Sequence, residues 1–430
     1  MFAPNDDTGS PCDWLRVWHG DALAGDAPLR TEFEIACDAA LKAIRRHEWP
    51  ATLPLFDTLK IGVATTGIER RLPFGEETIS TFEALHEGLY YGALEFFKAR
   101  AGLPDADRTL QLGQIVPEIS ASKGDTHICV RLARHRRVDA PVDGTLAPDT
   151  AVRSLAPVEV ELAVAALPGE QFSVTSFQGR KVAGVHVRGA LPDLVVTAGQ
   201  HANESSGVIG VLRAAGHLNK HRDAHYALVP LENPDGAALH HYLQAAHPTH
   251  MAHAARYTAL GDDLEARTQP PFGEKAVRLE AIVRTDARLH LSLHGYPAHE
   301  WTRPRAGYVP RGSELWTVPK GFFLILRRHP GYDGMRFLAA LTEELQSSTE
   351  LAEFNARQQK MWHAHVGDLP YECINGIPCL VMDERFTVPF TLVTEFPDET
   401  VRGAAFQLAH TTQMRTVLAA ARLYWKGFLA

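Results

Sequence analysis

The segment Leu194–Glu204, LVVTAGQHANE, constrains this chain more than any other. Its apolar run reads as a buried strand that breaks at Gly199 and at once presents His201 and Glu204. An imidazole and a carboxylate three residues apart, on a loop leaving a buried strand, can grip one metal ion together. Zinc takes such N/O ligands, and a catalytic zinc uses three protein ligands plus an open position for water. Alone, His-x-x-Glu is weak, because about one match arises by chance in a chain of this length. A surface loop that happens to contain both residues is the plain alternative, and the rest of the chain has to decide between the two.

Three further segments follow in order. Val229–Gly236, VPLENPDG, is an apolar strand followed by turn chemistry: Pro presets φ, Gly accepts φ > 0, and Asn and Asp bond back to local backbone. A simple turn accounts for it. Leu289–Tyr296, LHLSLHGY, alternates Leu289, Leu291 and Leu293 with His290 and Ser292, and delivers His294 at its end. The alternative for His294 is a satisfied interior histidine. Phe390–Asp398, FTLVTEFPD, sets Glu395 inside an apolar strand. An unpaired carboxylate is costly there, so it calls for a metal, a base role or an arginine partner.

This ordered set resembles the zinc carboxypeptidase superfamily, the metallocarboxypeptidases or funnelins. The resemblance runs from about Ser173 to the C-terminus. It opens with Ser176–Val187, SFQGRKVAGVHV, which is similar to the family's S-x-x-G-R strand pair, and closes with an amphipathic helix, Thr411–Trp425. It implies an α/β fold, a mixed, mostly parallel sheet sandwiched by helices over residues 157–430. A smaller α/β domain with a linker precedes it over residues 1–156. It also implies one zinc ion (Zn2+) per chain on His201, Glu204 and His294. Glu395 resembles the general base that takes a proton from the attacking water and returns it to the leaving amine. Arg256 stands seven residues before Asp263 of the run Gly261-Asp262-Asp263-Leu264. That is the interval at which the family's arginine, which polarises the scissile carbonyl, precedes the Asp of its G-x-D-L-N-R motif. Tyr371 is a looser match to a substrate-contacting tyrosine, with an ordinary packed tyrosine as the alternative.

One departure bears on the substrate. Glu265-Ala266 stands where the family has Asn-Arg, the pair that binds a free C-terminal carboxylate. A glutamate repels a carboxylate, and alanine cannot form the bidentate clamp of an arginine. Either Arg267, or Arg303 and Arg305, supply the cation, or the substrate has no carboxylate there. The expected activity is that of a zinc metallopeptidase cutting a peptide or amide bond, with C-terminal trimming left open. Two readings stand beside it. One is a deacylase of small N-acyl amino acids, similar to aspartoacylase or succinylglutamate desuccinylase. The other is a non-catalytic binding protein, against which the retention of all three ligands, Arg256 and Glu395 argues.

Composition fits an enzyme with a large core. At 430 residues, 45% of them hydrophobic, the chain has material for about two domains. A net charge of −8 argues against nucleic acid as a partner, and the basic run Arg131–Arg137 is short enough to flank a strand end or meet an acidic ligand. His240, His241, His247, His250 and His253 read as packed or solvated histidines rather than a second metal site. Cys12, Cys37, Cys129, Cys373 and Cys379 are odd in number and irregularly spaced, so no disulfide framework is legible. The first residues lack the basic-then-apolar pattern of a signal peptide, and no apolar run reaches membrane-spanning length. A cytoplasmic enzyme acting on a peptide or N-acyl amino acid, with no membrane partner, is the expectation. Ahead of the resemblance, Thr31–Arg46 and Ile79–Arg100 read as helices and Thr58–Ala64 and Thr126–Leu132 as strands. Val138–Ala156 has the composition of a linker. Arg70 and Arg71, in the loop Thr65–Glu77, read as surface arginines.

Overall fold

A strand that is apolar on both faces needs cover on both, and the second half of the chain is built that way. The computed structural model describes residues 13–71, 78–135, 147–297, 318–365, 367–368, 370–397 and 402–429. Its described residues up to Arg134 form one compact unit, and those of 135–297 and 319–429 form another.

In the first unit, β1 (Asp13–His19) and β2 (Ala22–Leu29) form an antiparallel hairpin. Helix α1 (Glu32–Arg46) begins where the Glu34 carboxylate accepts from the Thr31 backbone N–H, a capping device that satisfies an otherwise orphaned donor. Strand β3 (Thr58–Thr65) comes next, followed by a small hairpin of β4 (Glu69–Arg71) and β5 (Thr78–Ser80). After α2 (Thr81–Arg100), β6 (Gln114–Ala121) pairs parallel and β7 (His127–Ala133) antiparallel with β3. Helix α2 buries Phe82, Leu85, Leu89, Tyr90, Ala93 and Phe97, the 3.6-residue stripe legible in its sequence.

The second unit runs α3 (Pro157–Ala165), β8 (Glu170–Thr175), β9 (Lys181–Val187), β10 (Leu194–Ala198), α4 (Ser205–Leu218), β11 (Tyr226–Val229) and α5 (Pro234–Gln244). Then come α6 (Ala276–Thr285), β12 (Leu289–Tyr296), β13 (Phe323–Arg328), α7 (Met335–Gln346) and α8 (Thr349–His365). It ends with β14 (Glu372–Ile374), β15 (Ile377–Met382), β16 (Phe390–Pro397) and α9 (Gly403–Trp425). The strands form one mixed sheet in the order β14-β15-β13-β16-β12-β10-β11-β9-β8. Its middle, β16-β12-β10-β11, is parallel throughout, and β13 pairs parallel with β15.

Side-chain alternation decides which face does what. Leu194, Val196 and Ala198 of β10, with Leu289, Leu291 and Leu293 of β12, pack into a core closed by α3, α4, α7 and α9. Val195 instead joins Val277 and Ala281 of α6 on the opposite face. The leucines of β12 each contribute roughly 1.5–3 kcal/mol by burial, which commits His290, Ser292 and His294 to the α6 face. A slip of one residue would exchange the two sets.

The stretch expected to be a linker is partly packed: Ala151 and Leu155 lie buried in the core of the second unit. The closing helix begins at Gly403, eight residues before the Thr411 expected from sequence. Among the described residues no helix is long and apolar enough to cross a membrane. Cys37, Cys129, Cys373 and Cys379 are unpaired thiols, and Cys12 lies outside the described residues.

Candidate metal centre

Strand β10 stops at Ala198 and the chain turns through Gly199, whose φ of +62° a side chain would resist. The turn throws His201 and Glu204 across the carboxyl end of the sheet, where β12 delivers His294 from the adjacent parallel strand. The three residues meet. His201 Nδ1 lies 2.8 Å from Glu204 Oε1, His294 Nδ1 lies 3.0 Å from Glu204 Oε2, and the two imidazole Nδ1 atoms are 3.2 Å apart. Ligand atoms about 2 Å from a tetrahedral zinc are separated by roughly 3.3 Å, so the donor set fits zinc in type and spacing. All three are buried, with 7%, 2% and 8% of their surface exposed.

The surroundings hold each ligand in place. His201 Nε2, turned away from the centre, lies 3.4 Å from Asp263 Oδ2 and 3.3 Å from Gln200 Nε2. His294 Nε2 meets Ser292 Oγ at 3.0 Å. The Gly295 backbone N–H donates to Glu204 Oε2 at 3.2 Å, and Gln413 Nε2 donates to the His294 carbonyl at 2.9 Å. Burial and the Arg256 charge push the His201 pKa down, but the carboxylates of Glu204 and Asp263 outweigh them and leave it raised. Burial alone would raise the Glu204 pKa; the two histidines reverse this and hold it far below the usual range. Burial dominates at His294, which is pushed down despite Glu204. The lowered values at Glu204 and His294 favour the carboxylate and the neutral imidazole that bind a metal, whereas the raised value at His201 works against it.

Glu395 reaches the same place by strand register. It is the direct partner of His294 across the parallel β12–β16 ladder. Partners in such a ladder share a face, on strands about 4.8 Å apart.

Arg256 follows a short 3-10 turn, His253–Ala255, and its Nη1 donates to Glu204 Oε1 at 2.9 Å. The Asn-Pro-Asp-Gly segment holds that turn. Asn233 Oδ1 caps α5 by accepting from the Gly236 N–H at 2.9 Å, while its Nδ2 donates to the carbonyl of Tyr257 at 3.1 Å and that of Arg256 at 3.5 Å. Asp235 accepts from Ser176 Oγ at 2.7 Å and Arg180 Nη1 at 2.9 Å. Buried Ser176, Arg180 and Asp235 therefore tie the Ser-Phe-Gln-Gly-Arg and Asn-Pro-Asp-Gly segments together.

Arg267, a candidate substrate cation, has its donors engaged inside the protein. Its Nε donates to Asp262 at 2.6 Å, Nη1 to Glu274 at 2.6 Å, and Nη2 to Asp262 at 2.8 Å and Thr258 at 3.2 Å. Tyr371 is half-buried just ahead of β14, an edge strand four positions from β12 in the sheet order. Arg303 and Arg305 lie outside the described residues. The cations that do meet Glu265 are Arg278 and Arg327, at 2.8 and 3.4 Å. Sequence reasoning missed both, and it used Asp263 only to mark a spacing. A readable signal was Arg278 itself, an arginine set between Val277 and Ala281 on the apolar stripe of α6.

No family model and no curated protein matches this chain. Solved structures do. A metallo-carboxypeptidase from Pseudomonas aeruginosa is 18% identical over 62% of this chain and 68% of its own, with a TM-score of 0.40. A metallo-carboxypeptidase from Burkholderia cenocepacia is 16% identical over 62% and 68%, with a TM-score of 0.36. Carboxypeptidase A from Helicoverpa armigera is 11% identical over 66% and 75%, with a TM-score of 0.38. Metallocarboxypeptidases are thus among the solved structures to which this chain is similar.

Proposed function

We propose that the chain is a zinc-dependent hydrolase of peptide or amide bonds. The observation that carries the reading is the convergence of His201, Glu204 and His294 within hydrogen-bond range of one another, beside a second carboxylate, Glu395, in register with His294. His201, Glu204 and His294 would hold the zinc ion, which would supply a Lewis acid for the carbonyl and lower the pKa of water there. The remaining work belongs to side chains. Glu395 takes the proton of the attacking water and passes it to the leaving nitrogen, acting as base and then as acid. Arg256, which donates to Glu204 through Nη1, brings its positive charge to the oxyanion that develops on the scissile carbonyl. Asp263 fixes the His201 ring so that Nδ1 faces the centre.

The test is a zinc determination on the purified chain, followed by a screen of peptide and N-acyl amino-acid libraries. One zinc per chain, with hydrolysis lost on chelation and restored by zinc, is expected. A chain that binds zinc and cleaves only N-acyl amino acids is a deacylase. One that binds no zinc, or cleaves nothing in either library, ends the hydrolase reading.

A further inference from the structure

Glu265 looked in the sequence like a lone negative charge that would repel a substrate carboxylate. In the fold its charge is more than offset. Oε2 accepts from Arg278 Nη1 at 2.8 Å, Oε1 from Arg327 Nη1 at 3.4 Å, and its backbone carbonyl from Lys275 Nζ at 2.9 Å. Arg278 also donates through Nε to the buried carboxylate of Glu232 at 2.7 Å, and through Nη2 to Glu232 and Gln200. Glu232 and Glu265 are therefore hydrogen-bonded to a cluster of Arg278, Arg327 and Lys275, with Glu395 in electrostatic reach of Arg327 and Asp263 of Lys275.

Of the two arginines, Arg327 is the less fully hydrogen-bonded. Arg278 is sealed, at 1% side-chain exposure, and every one of its nitrogens donates. Arg327 has one partner among the described residues, Glu265 at the long limit of a hydrogen bond, while its Nε is buried with none. Its side chain is 14% exposed, next to Glu265 at 23%, so solvent reaches this end of the cluster. Burial and repulsion from Arg385 hold its pKa below the ordinary arginine value. A cation left this way is a receptor for an anion.

Its place on the sheet puts that receptor on the face of the reacting centre, four residues along β13 from Phe323, the partner of Glu395. Arg327 pairs with Thr391 of β16, and Thr391 pairs with His290 of β12. Paired residues share a face, as do residues two and four apart, so Arg327 lies on the face that carries His294 and Glu395. Electrostatic attraction to Glu395 supports its charge there.

We infer that Arg327 is a specificity-determining residue that binds a carboxylate of the substrate, with Glu265 and Arg278 fixing its guanidinium. The inference rests on the hydrolase reading of the adjoining centre. The carboxylate has two sources, a free C-terminus or an acidic side chain.

Binding is measured first, by calorimetry on the zinc-loaded full chain, with glutarate and its monoamide, glutaramate. Both present one carboxylate to the centre and differ at the other end. Glutarate is expected to bind at least tenfold tighter. R327M abolishes the difference, R327K keeps part of it, and R328M leaves it unchanged, since Arg328 faces the other way and pairs with Asp383 at 2.7 Å. Equal affinities in the unmodified chain, which needs no variant to fold, overturn the inference, as does an R327M protein that keeps the preference. Peptides ending in Glu or Gln, each as acid and as amide, then separate the sources. Loss of cleavage on amidation marks the C-terminus, and loss on Glu→Gln marks the side chain. Cleavage indifferent to both overturns the inference. A glutarate preference with no peptide cleaved supports the anion site and sinks the hydrolase reading instead.

Discussion

Glu395 and Asp263 are carboxylates set against different histidines, Glu395 by strand register with His294 and Asp263 by contact with His201. Glu395 shares the face of His294 as its ladder partner, whereas Asp263 approaches His201 from behind, at Nε2. The expected consequences differ accordingly. Glu395→Gln should keep its zinc and lose at least about a hundredfold in turnover, the usual size of a general base's contribution. Metal analysis with steady-state kinetics checks this, and near-normal turnover with zinc bound would reduce Glu395 to a structural carboxylate. Asp263→Asn keeps the turn bond in which Oδ1 accepts from the Glu265 N–H at 3.0 Å, but it loses the charge behind the ring. Zinc affinity should fall about 10–100-fold, as when such supporting carboxylates are removed elsewhere. Competition against a chelator of known affinity measures it, and an unchanged affinity would mean that the 3.4 Å contact contributes nothing.

Among the elements, α5 shows how a motif that reads as a plain turn acts on the centre. Asn233 uses one side-chain atom to cap the helix and the other to hold the backbone around Arg256. Serine caps about as well as asparagine but does not reach across. Asn233→Ser should therefore keep the melting temperature within a few degrees, keep zinc, and lose roughly tenfold in kcat as Arg256 loosens. An unchanged kcat would free Arg256 from any dependence on α5. The alternation of β12 and the break after β10 were legible because they are local patterns of period two and a glycine turn. The partners of Glu265 were not legible for the opposite reason: they lie 13 and 62 residues away in sequence, and no local pattern announces such pairs. The start of α9 was missed because its first turns, Gly403–His410, are rich in alanine with little charged contrast. Helix propensity carries that stretch rather than amphipathicity.

Over the whole molecule, the packed histidines set how stability responds to acid. His240, His290 and His410 are buried, and burial pushes their pKa values down to about 3, 3 and 4 from an ordinary 6.5. The network at His410 gives the reason in atoms. Its Nδ1 accepts from Arg213 Nη1 at 2.7 Å and its Nε2–H donates to the Ala151 carbonyl at 3.0 Å. Protonation would face an imidazolium with a guanidinium. Each native pKa lies below its unfolded value, so the unfolded chain binds protons first as pH falls. The stabilisation is fully present above about pH 6.5 and is lost toward pH 4 and 3. Each such group costs about 1.4 kcal/mol per pH unit across its window. The thermal midpoint should therefore be level between pH 8 and 7 and decline between pH 6 and 5, where most carboxylates are still ionised. His410→Gln, which can accept from Arg213 and donate to Ala151 without titrating, should make that decline shallower. A midpoint that stays level from pH 7 to 5, or one whose slope His410→Gln leaves unchanged, would show that these histidines do not govern the acid response.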